Sequence, residues 1–141
     1  MMAKPTGAVC NLDCEYCFFL SKEMLYAGSR FRMTEELQET YIRQLVEAHA
    51  EAPEVVVAWQ GGEPTLMGLD FFRRSIELER KYARPGQHVL NTLQTNGTLL
   101  DEEWGAFLGK TNSWSGSRST GRGRCTTPFG STEAGGPRST G

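Results

Sequence analysis

The sequence predicts an α/β fold in which parallel strands alternate with helices, as in a partial (β/α) barrel of about three βα units. Apolar segments of strand length alternate with segments of helical periodicity, and each unusual loop follows the C-terminal end of a predicted strand. Helix-length crossovers between consecutive strands indicate a parallel sheet with helices outside it. A doubly wound sheet remains an alternative, but both architectures build their sites at this same edge.

The elements are predicted in the following order. A first strand within residues 2–9 leads into a loop that contains three cysteines. The first helix begins after Thr34, because threonine is a good N-cap and two glutamates follow in the first turn. Residues 55–59 form an unbroken apolar run, which is typical of a strand buried on both faces. A helix over residues 69–82, a strand over 88–94 and a helix over 102–108 complete the prediction.

Overall composition excludes several classes of protein. The formal net charge of −2 gives no electrostatic reason to expect binding to nucleic acid or to an anionic membrane surface. No apolar run approaches the length of a membrane span or of a signal-peptide core. We therefore expect a cytoplasmic protein without nucleic-acid or membrane partners.

The composition changes abruptly near residue 108. Residues 1–108 contain 10 basic and 16 acidic side chains, whereas residues 109–141 contain 5 basic and 1 acidic side chain. Of the last 33 residues, 20 are Gly, Ser or Thr, so this segment has too little apolar surface to offset the entropy of ordering it. We predict a folded part over residues 1–108 and a disordered tail over residues 109–141.

Three cysteines form the strongest candidate site. Cys10, Cys14 and Cys17 lie within eight residues, whereas the fourth cysteine, Cys125, is isolated in the tail. In a reducing compartment such clustering favours metal ligation over disulfides. Three thiolates on one loop suit a four-iron cluster in which one iron lacks a protein ligand. A zinc site is the alternative, but it would need a fourth cysteine or histidine nearby, and His49 and His88 are distant in the sequence.

Two glycine-containing motifs follow predicted strands. The first is Gly-Gly-Glu-Pro at residues 61–64, where the glycines let a ligand approach the backbone and the carboxylate suits an ammonium group. The second is Gln-Thr-Asn-Gly at residues 94–97, whose Asn-Gly pair is by itself an ordinary turn. Each motif alone is weak, and their position after strands and downstream of the cysteines is what favours a site.

Together these motifs resemble those of radical S-adenosylmethionine (SAM) enzymes. The family pattern CxxxCxxC, with an aromatic residue before its last cysteine, is present at Cys10, Cys14, Tyr16 and Cys17. The wider segment over residues 4–23, together with residues 59–64, is similar to anaerobic sulfatase-maturating enzymes in particular. The resemblance covers about the first 108 residues and implies the N-terminal part of a radical SAM partial barrel.

The resemblance implies a cofactor set and residues that hold it. A [4Fe-4S] cluster would be bound by the three cysteines, and its open iron would be chelated by SAM. The methionine end of SAM would lie at Gly61, Gly62 and Glu63. Three further residues would line the SAM pocket, and one would contact the substrate; these are Tyr16, Gln94 and Asn96 for SAM, and Gln60 for the substrate.

The resemblance also implies an activity. Such enzymes cleave SAM to a 5′-deoxyadenosyl radical, which oxidises a cysteine or serine of a sulfatase to formylglycine. The implied partners are a sulfatase polypeptide and an electron donor such as a ferredoxin or flavodoxin. No catalytic base is identifiable, because family members place it in a C-terminal portion absent here, and we expect this chain to be inactive alone. The alternatives are another peptide-modifying radical SAM enzyme and an inactive cluster- or zinc-binding fragment.

The tail has one further interpretation. A reading frame shifted by one base, with degenerate third bases left free, can encode LLVGLSIDGPRE over residues 113–124. LSIDGP resembles the segment that the family has on its fourth strand at this distance. The sequence therefore suggests the hypothesis that residues 109–141 are frame-shifted, and the nucleotide sequence would test it.

Overall fold

The fold is known from a computed structural model that describes residues 1–15, 17, 25 and 31–110, together with the backbone of residues 114–118 and 125–126. Three α-helices, one short 3₁₀ helix (Pro64–Met67) and six strands are present in this part of the chain. In chain order they are β1 (Met2–Ala3), β2 (Asp13–Cys14), α1 (Glu35–Ala48), β3 (Glu54–Trp59), α2 (Leu69–Tyr82), β4 (His88–Thr95), α3 (Glu102–Lys110), β5 (Trp114–Arg118) and β6 (Cys125–Thr126).

A four-stranded parallel sheet organises the fold. The strand order is β1-β3-β4-β5, and every neighbouring pair is parallel. The central pair is in register from Glu54 opposite His88 to Trp59 opposite Leu93. Helix α1 precedes β3, and α2 connects β3 to β4, so the predicted α/β alternation with a parallel sheet is confirmed.

Local sequence determines where α1 and α2 begin. The side-chain oxygen of Thr34 accepts a hydrogen bond from the Leu37 amide and caps α1, as predicted. Helix α2 begins after Gly68, whose φ of 85° is accessible to glycine at low cost. Its observed bounds, Leu69–Tyr82, coincide with the predicted ones. These two helices pack against each other and against one face of the sheet.

The hydrophobic core lies between that face and the two helices. Val55, Val57 and Trp59 of β3 are buried there. The Trp59 ring makes edge-to-face contacts with Tyr41 of α1 and with Phe71 of α2, at centroid distances of 5.6 Å and 5.3 Å. Such contacts add about 1 kcal/mol beyond the burial of apolar area. They fix the C-terminal end of β3, from which the Gly-Gly-Glu-Pro motif continues.

The prediction that β3 is buried on both faces was wrong. Burial alternates along the strand, and Val56 is 42 % exposed although its neighbours Val55 and Val57 are buried. The reason is that α1 and α2 cover one face only. An apolar run therefore indicated a strand correctly, but it did not report how many of its faces are covered.

Of residues 109–141, the structure describes residues 109–110 and the backbone of residues 114–118 and 125–126. Helix α3 extends to Lys110, strand β5 pairs in parallel with β4, and β6 pairs with β2 in an antiparallel arrangement. Without β5, the edge of β4 would have unpaired backbone donors and acceptors. Such groups can pair with a neighbouring segment whatever side chains it carries. The boundary at residue 108 and the disorder of residues 109–141 stay predictions.

The described helices are too short or too polar to cross a lipid bilayer.

Candidate cofactor site

The cysteine loop, residues 4–17, is built on a compact turn. The amide of Gly7 donates to the carbonyl of Lys4 and that of Val9 to the carbonyl of Thr6, both at 3.0 Å. This turn delivers Cys10 to the carboxyl edge of the sheet. Cys17 follows, with its amide donating to the Cys14 carbonyl at 2.8 Å. Tyr16, which the sequence places in the SAM pocket, lies outside the described residues.

The three predicted ligands are in two chemical states. Cys10 and Cys17 are free and half-buried, and they lie close enough to interact electrostatically. Cys14 is disulfide-bonded, and its backbone is in register with that of Cys125. Consistent with this, no group of three metal-binding side chains is assembled among the described residues. Cysteine thiolates are the usual ligands of iron–sulfur clusters. Once Cys14 is reduced, the three cysteines of the loop can ligate three irons of a [4Fe-4S] cluster and leave the fourth iron open.

The Cys10 thiol has a polar environment at the edge of the sheet. Its sulfur accepts hydrogen bonds from the Leu12 amide at 3.4 Å and from Asn96 Nδ2 at 3.6 Å. Burial raises the pKa of Cys10, and the nearby charge of Glu63 acts in the same direction. The two hydrogen bonds act in the opposite direction, because they stabilise the thiolate.

The Gly-Gly-Glu segment packs directly on the cysteine loop. The amide of Gly62 donates to the Gly7 carbonyl and that of Glu63 to the Val9 carbonyl, both at 2.9 Å. A Cβ atom added to Gly62 would lie 2.0 Å from the Val9 carbonyl oxygen, so no larger residue fits. Gly61 has a φ of 126°, which other residues rarely adopt. The glycines are therefore required by loop-to-loop packing, a reason that the sequence alone did not reveal.

Glu63 is the most buried charged residue at this edge, with 0 % of its surface exposed. Its Oε1 accepts hydrogen bonds from the Thr65 amide at 3.0 Å, the Thr65 hydroxyl at 2.6 Å and the Thr95 hydroxyl at 2.7 Å. Its Oε2 accepts one from the Asn96 amide at 2.7 Å. A carboxylate has about four lone-pair sites. The four protein donors thus fill the capacity of Glu63 and connect β3 to the end of β4.

Asn96 connects the end of β4 to the cysteine loop. Its side-chain Nδ2 donates to Asn11 Oδ1 at 2.9 Å and to the Cys10 sulfur. Its Oδ1 accepts from both the amide and the hydroxyl of Thr98, at 3.0 Å and 2.8 Å. The structure therefore brings Cys10, Glu63 and Asn96 together, as the sequence predicts.

The two predicted glutamines lie at the same edge. Gln60 immediately follows β3, and its amide donates to the Ala3 carbonyl at the end of β1 at 2.9 Å. Gln94 is the penultimate residue of β4, and both glutamines are half-buried. Their assignment to substrate and SAM stays a prediction.

Sequence reasoning missed four residues of this hydrogen-bonded junction. They all carry short polar side chains, and they are Asn11, Thr65, Thr95 and Thr98. Thr65 lies two residues from Glu63 and Thr98 lies two residues from Asn96, so both make short-range side-chain hydrogen bonds of a kind that a local pattern can reveal. The contact of Thr95 with Glu63 spans 32 positions and that of Asn11 with Thr98 spans 87, and neither has a local pattern.

Comparisons with known proteins match the sequence and the fold of this chain. The sequence profile of the Radical SAM superfamily matches residues 5–114. The chain is 44 % identical over 115 residues to a serine-type anaerobic sulfatase-maturating enzyme of Bacteroides thetaiotaomicron, covering 81 % of this chain and 27 % of that enzyme. It is 41 % identical over 110 residues to a cysteine-type enzyme of Clostridium perfringens, covering 77 % and 29 %.

Solved structures of anaerobic sulfatase-maturating enzymes are also similar to this chain. The fold is similar to native anSMEcpe with bound AdoMet, with a TM-score of 0.70 and 39 % identity, covering 80 % of this chain and 30 % of that one. A second similar structure is native anSMEcpe with bound AdoMet and Cp18Cys peptide, with a TM-score of 0.68, 38 % identity and coverage of 80 % and 28 %. The chain spans less than a third of the length of these relatives. Its matched sequence and parallel α/β fold place it in the radical SAM superfamily, to which this chain belongs.

Proposed function

We propose that the cysteine loop binds a [4Fe-4S] cluster through Cys10, Cys14 and Cys17, and that SAM binds beside it at the carboxyl edge of the sheet. The observation that supports this proposal is the hydrogen-bonded junction of three loops. Glu63 and Asn96 join the Gly-Gly-Glu segment, the end of β4 and the cysteine loop within contacts of 2.6–3.6 Å. The relative described with bound AdoMet has the same fold.

The junction also suggests how SAM is held. Residues 61–63 would bind the methionine end of SAM, as the resemblance implies. Because four protein donors already occupy the Glu63 carboxylate, the SAM ammonium group would be accepted by backbone carbonyls of this segment. Glu63 would act by fixing the segment against the end of β4. Gln94 and Asn96 would line the pocket, and Gln60 would face the substrate.

The cluster, when bound, supplies the electron that cleaves a carbon–sulfur bond of SAM. The substrate we propose is a sulfatase polypeptide whose cysteine or serine is oxidised to formylglycine, because the relatives are named sulfatase-maturating enzymes. A ferredoxin or flavodoxin would deliver the electron. We propose the cytoplasm as the location, because free thiol ligands require a reducing compartment. We also predict that this chain by itself is inactive in sulfatase maturation.

Anaerobic reconstitution tests the proposal. The full chain is reduced, so that Cys14 becomes available, and supplied with iron and sulfide. The EPR spectrum is then recorded with and without SAM. We expect a four-iron signal that changes when SAM is added, and we expect Cys17→Ser to lose it. Cys125→Ser is the matched cysteine control and should load the cluster at least as well as the parent chain, because Cys125 lies outside the motif.

Three outcomes would contradict the proposal in whole or in part. If the reduced chain binds zinc tightly but no cluster, the loop is a zinc site or a fragment without cofactor chemistry. If a cluster forms in Cys17→Ser as readily as in the parent chain, the three-cysteine ligand set is wrong. A cluster signal that is unchanged by SAM would leave the ligand set standing and would contradict the SAM site.

A further inference from the structure

The side-chain amide of Asn96 has a single possible orientation. The backbone amide of Thr98, which can only donate, lies 3.0 Å from Asn96 Oδ1. The oxygen of Asn96 must therefore face Thr98, and the NH₂ group must face the cysteine loop. The nitrogen of that group donates to Asn11 Oδ1 at 2.9 Å and to the Cys10 sulfur at 3.6 Å.

The backbone of Asn96 is equally fixed. Its amide donates at 2.7 Å to Oε2 of Glu63, which is fully buried and held by Thr65 and Thr95 as well. Asn11 is held in turn, because its Nδ2 donates to the Thr98 hydroxyl at 2.7 Å. The donor aimed at Cys10 is thus preorganised by bonds to three loops. In a partly buried site, such a hydrogen bond is stronger than it would be in water.

A preorganised N–H beside a cysteine sulfur has a specific chemical consequence for a bound cluster. Reduction adds negative charge to the cluster and its sulfurs, and an N–H donor stabilises that charge, so hydrogen bonds to the sulfurs raise the reduction potential. We propose that Asn96 is a positioning residue that donates to the Cys10 sulfur and sets the reduction potential of the cluster. This inference rests on the proposed function and adds to it a role toward the cluster for a residue otherwise assigned to SAM.

The test compares variants of the full chain after anaerobic reconstitution. Asn96→Ala removes the donor and introduces no charge. Gln87→Ala is the matched control, because it removes a side-chain amide that donates to the His49 and Ala52 carbonyls and makes no contact with the junction. We expect the midpoint potential, measured by EPR-monitored redox titration, to shift to a more negative value in Asn96→Ala and to be unchanged in Gln87→Ala. Iron and sulfide content should remain that of the parent chain in both.

The outcomes separate this inference from the proposed function. Equal potentials in the parent chain and Asn96→Ala, with the cluster loaded in both, would overturn the inference and leave the proposed function standing. If Asn96→Ala does not load a cluster, Asn96→Leu, which has a similar shape and no hydrogen-bond donor, is measured in its place, and the same shift to a more negative potential is expected. Loss of the cluster from both variants would overturn the inference, because Asn96 would then be needed for loop assembly. A parent chain that binds no cluster would contradict the proposed function and the inference together.

Discussion

Two buried glutamates near the central strands have very different hydrogen-bonding environments. Glu63, at the carboxyl edge of the sheet, is 0 % exposed and accepts four hydrogen bonds. Glu79, on the helix-covered face, is 4 % exposed, and its carboxylate accepts one hydrogen bond, from Asn91 Nδ2 at 2.9 Å. Its Oε1 has no partner. Burial raises the pKa of Glu79 to about 7, against the opposing effects of Asn91 and Arg80.

The difference shows that burial alone does not identify a functional carboxylate. Glu79 belongs to a short polar chain inside the core, in which Trp59 Nε1 donates to Asn91 Oδ1 at 3.1 Å. That chain fixes packing between α2 and the sheet. Glu63, by contrast, binds donors from two different loops, which are the loops that carry the motifs. A buried carboxylate that joins loops organises a site, whereas a buried carboxylate with a single hydrogen bond, such as that of Glu79 in the core, imposes a cost on folding.

The largest expected effect comes from disrupting the packing of the Gly-Gly-Glu segment on the cysteine loop. In Gly62→Ala the new methyl group would collide with the Val9 carbonyl at 2.0 Å, and we expect a loss of about 3–5 kcal/mol in the free energy of unfolding. Gly105→Ala is the control, because a Cβ there meets nothing within 4 Å on α3, and a gain of ~0.5–1 kcal/mol is expected. Urea denaturation of both variants measures the contrast; equal effects would contradict the packing described for residue 62.

Substituting each glutamate by glutamine tests the contrast itself. Glu63→Gln puts an NH₂ group among donors that need acceptors, so a loss of about 3 kcal/mol in the free energy of unfolding is expected. Glu79→Gln at pH 7.5 removes a poorly solvated charge and should be neutral or stabilising. Denaturation of the two variants under one condition is the measurement. A loss in Glu79→Gln as large as that in Glu63→Gln would abolish the distinction.

The raised pKa of Glu79 predicts a pH dependence of stability. Since the folded state holds its proton more tightly than the unfolded state, the stability contributed by neutral Glu79 is present below about pH 4.5 and is lost as the pH rises through about 7. The loss attributable to this group between pH 5 and pH 8 is about 2 kcal/mol. Subtracting the pH profile of Glu79→Gln from that of the parent chain isolates it. Parallel profiles would show that Glu79 does not titrate in this range.

The smallest expected effect concerns a hydrogen bond outside both glutamate sites. Thr34→Ala removes the cap of α1, in which Thr34 Oγ1 accepts from the Leu37 amide at 3.3 Å, and about 1 kcal/mol of stability should be lost. Thr34→Ser retains the hydroxyl and should retain most of the stability. Thermal unfolding of the pair checks this, and an equal loss in both variants would show that the hydroxyl does not cap the helix.

The parts of the molecule that sequence predicted are those determined by local patterns. The bounds of α2 and the cap of α1 follow from apolar periodicity and from Thr34, and the structure confirms both. The burial of Val56 was predicted wrongly, because which face the helices cover is decided by tertiary packing. For the site, the motifs correctly placed three loops at one edge of the sheet. The bonds that join them, such as that from Asn96 to Cys10, span 86 positions and cannot be read from local sequence.

The most direct test of the account is the affinity for SAM of the two glutamate variants after cluster reconstitution. A titration with SAM, followed by the EPR change, gives an apparent Kd for the parent chain, Glu63→Gln and Glu79→Gln at pH 7.5. We predict that Glu79→Gln binds SAM as the parent chain does. Glu63→Gln should bind it at least tenfold more weakly, a difference of ~1.4 kcal/mol. Equal affinities in the two variants, or an equal weakening of both, would contradict the claim that Glu63 organises the cofactor site.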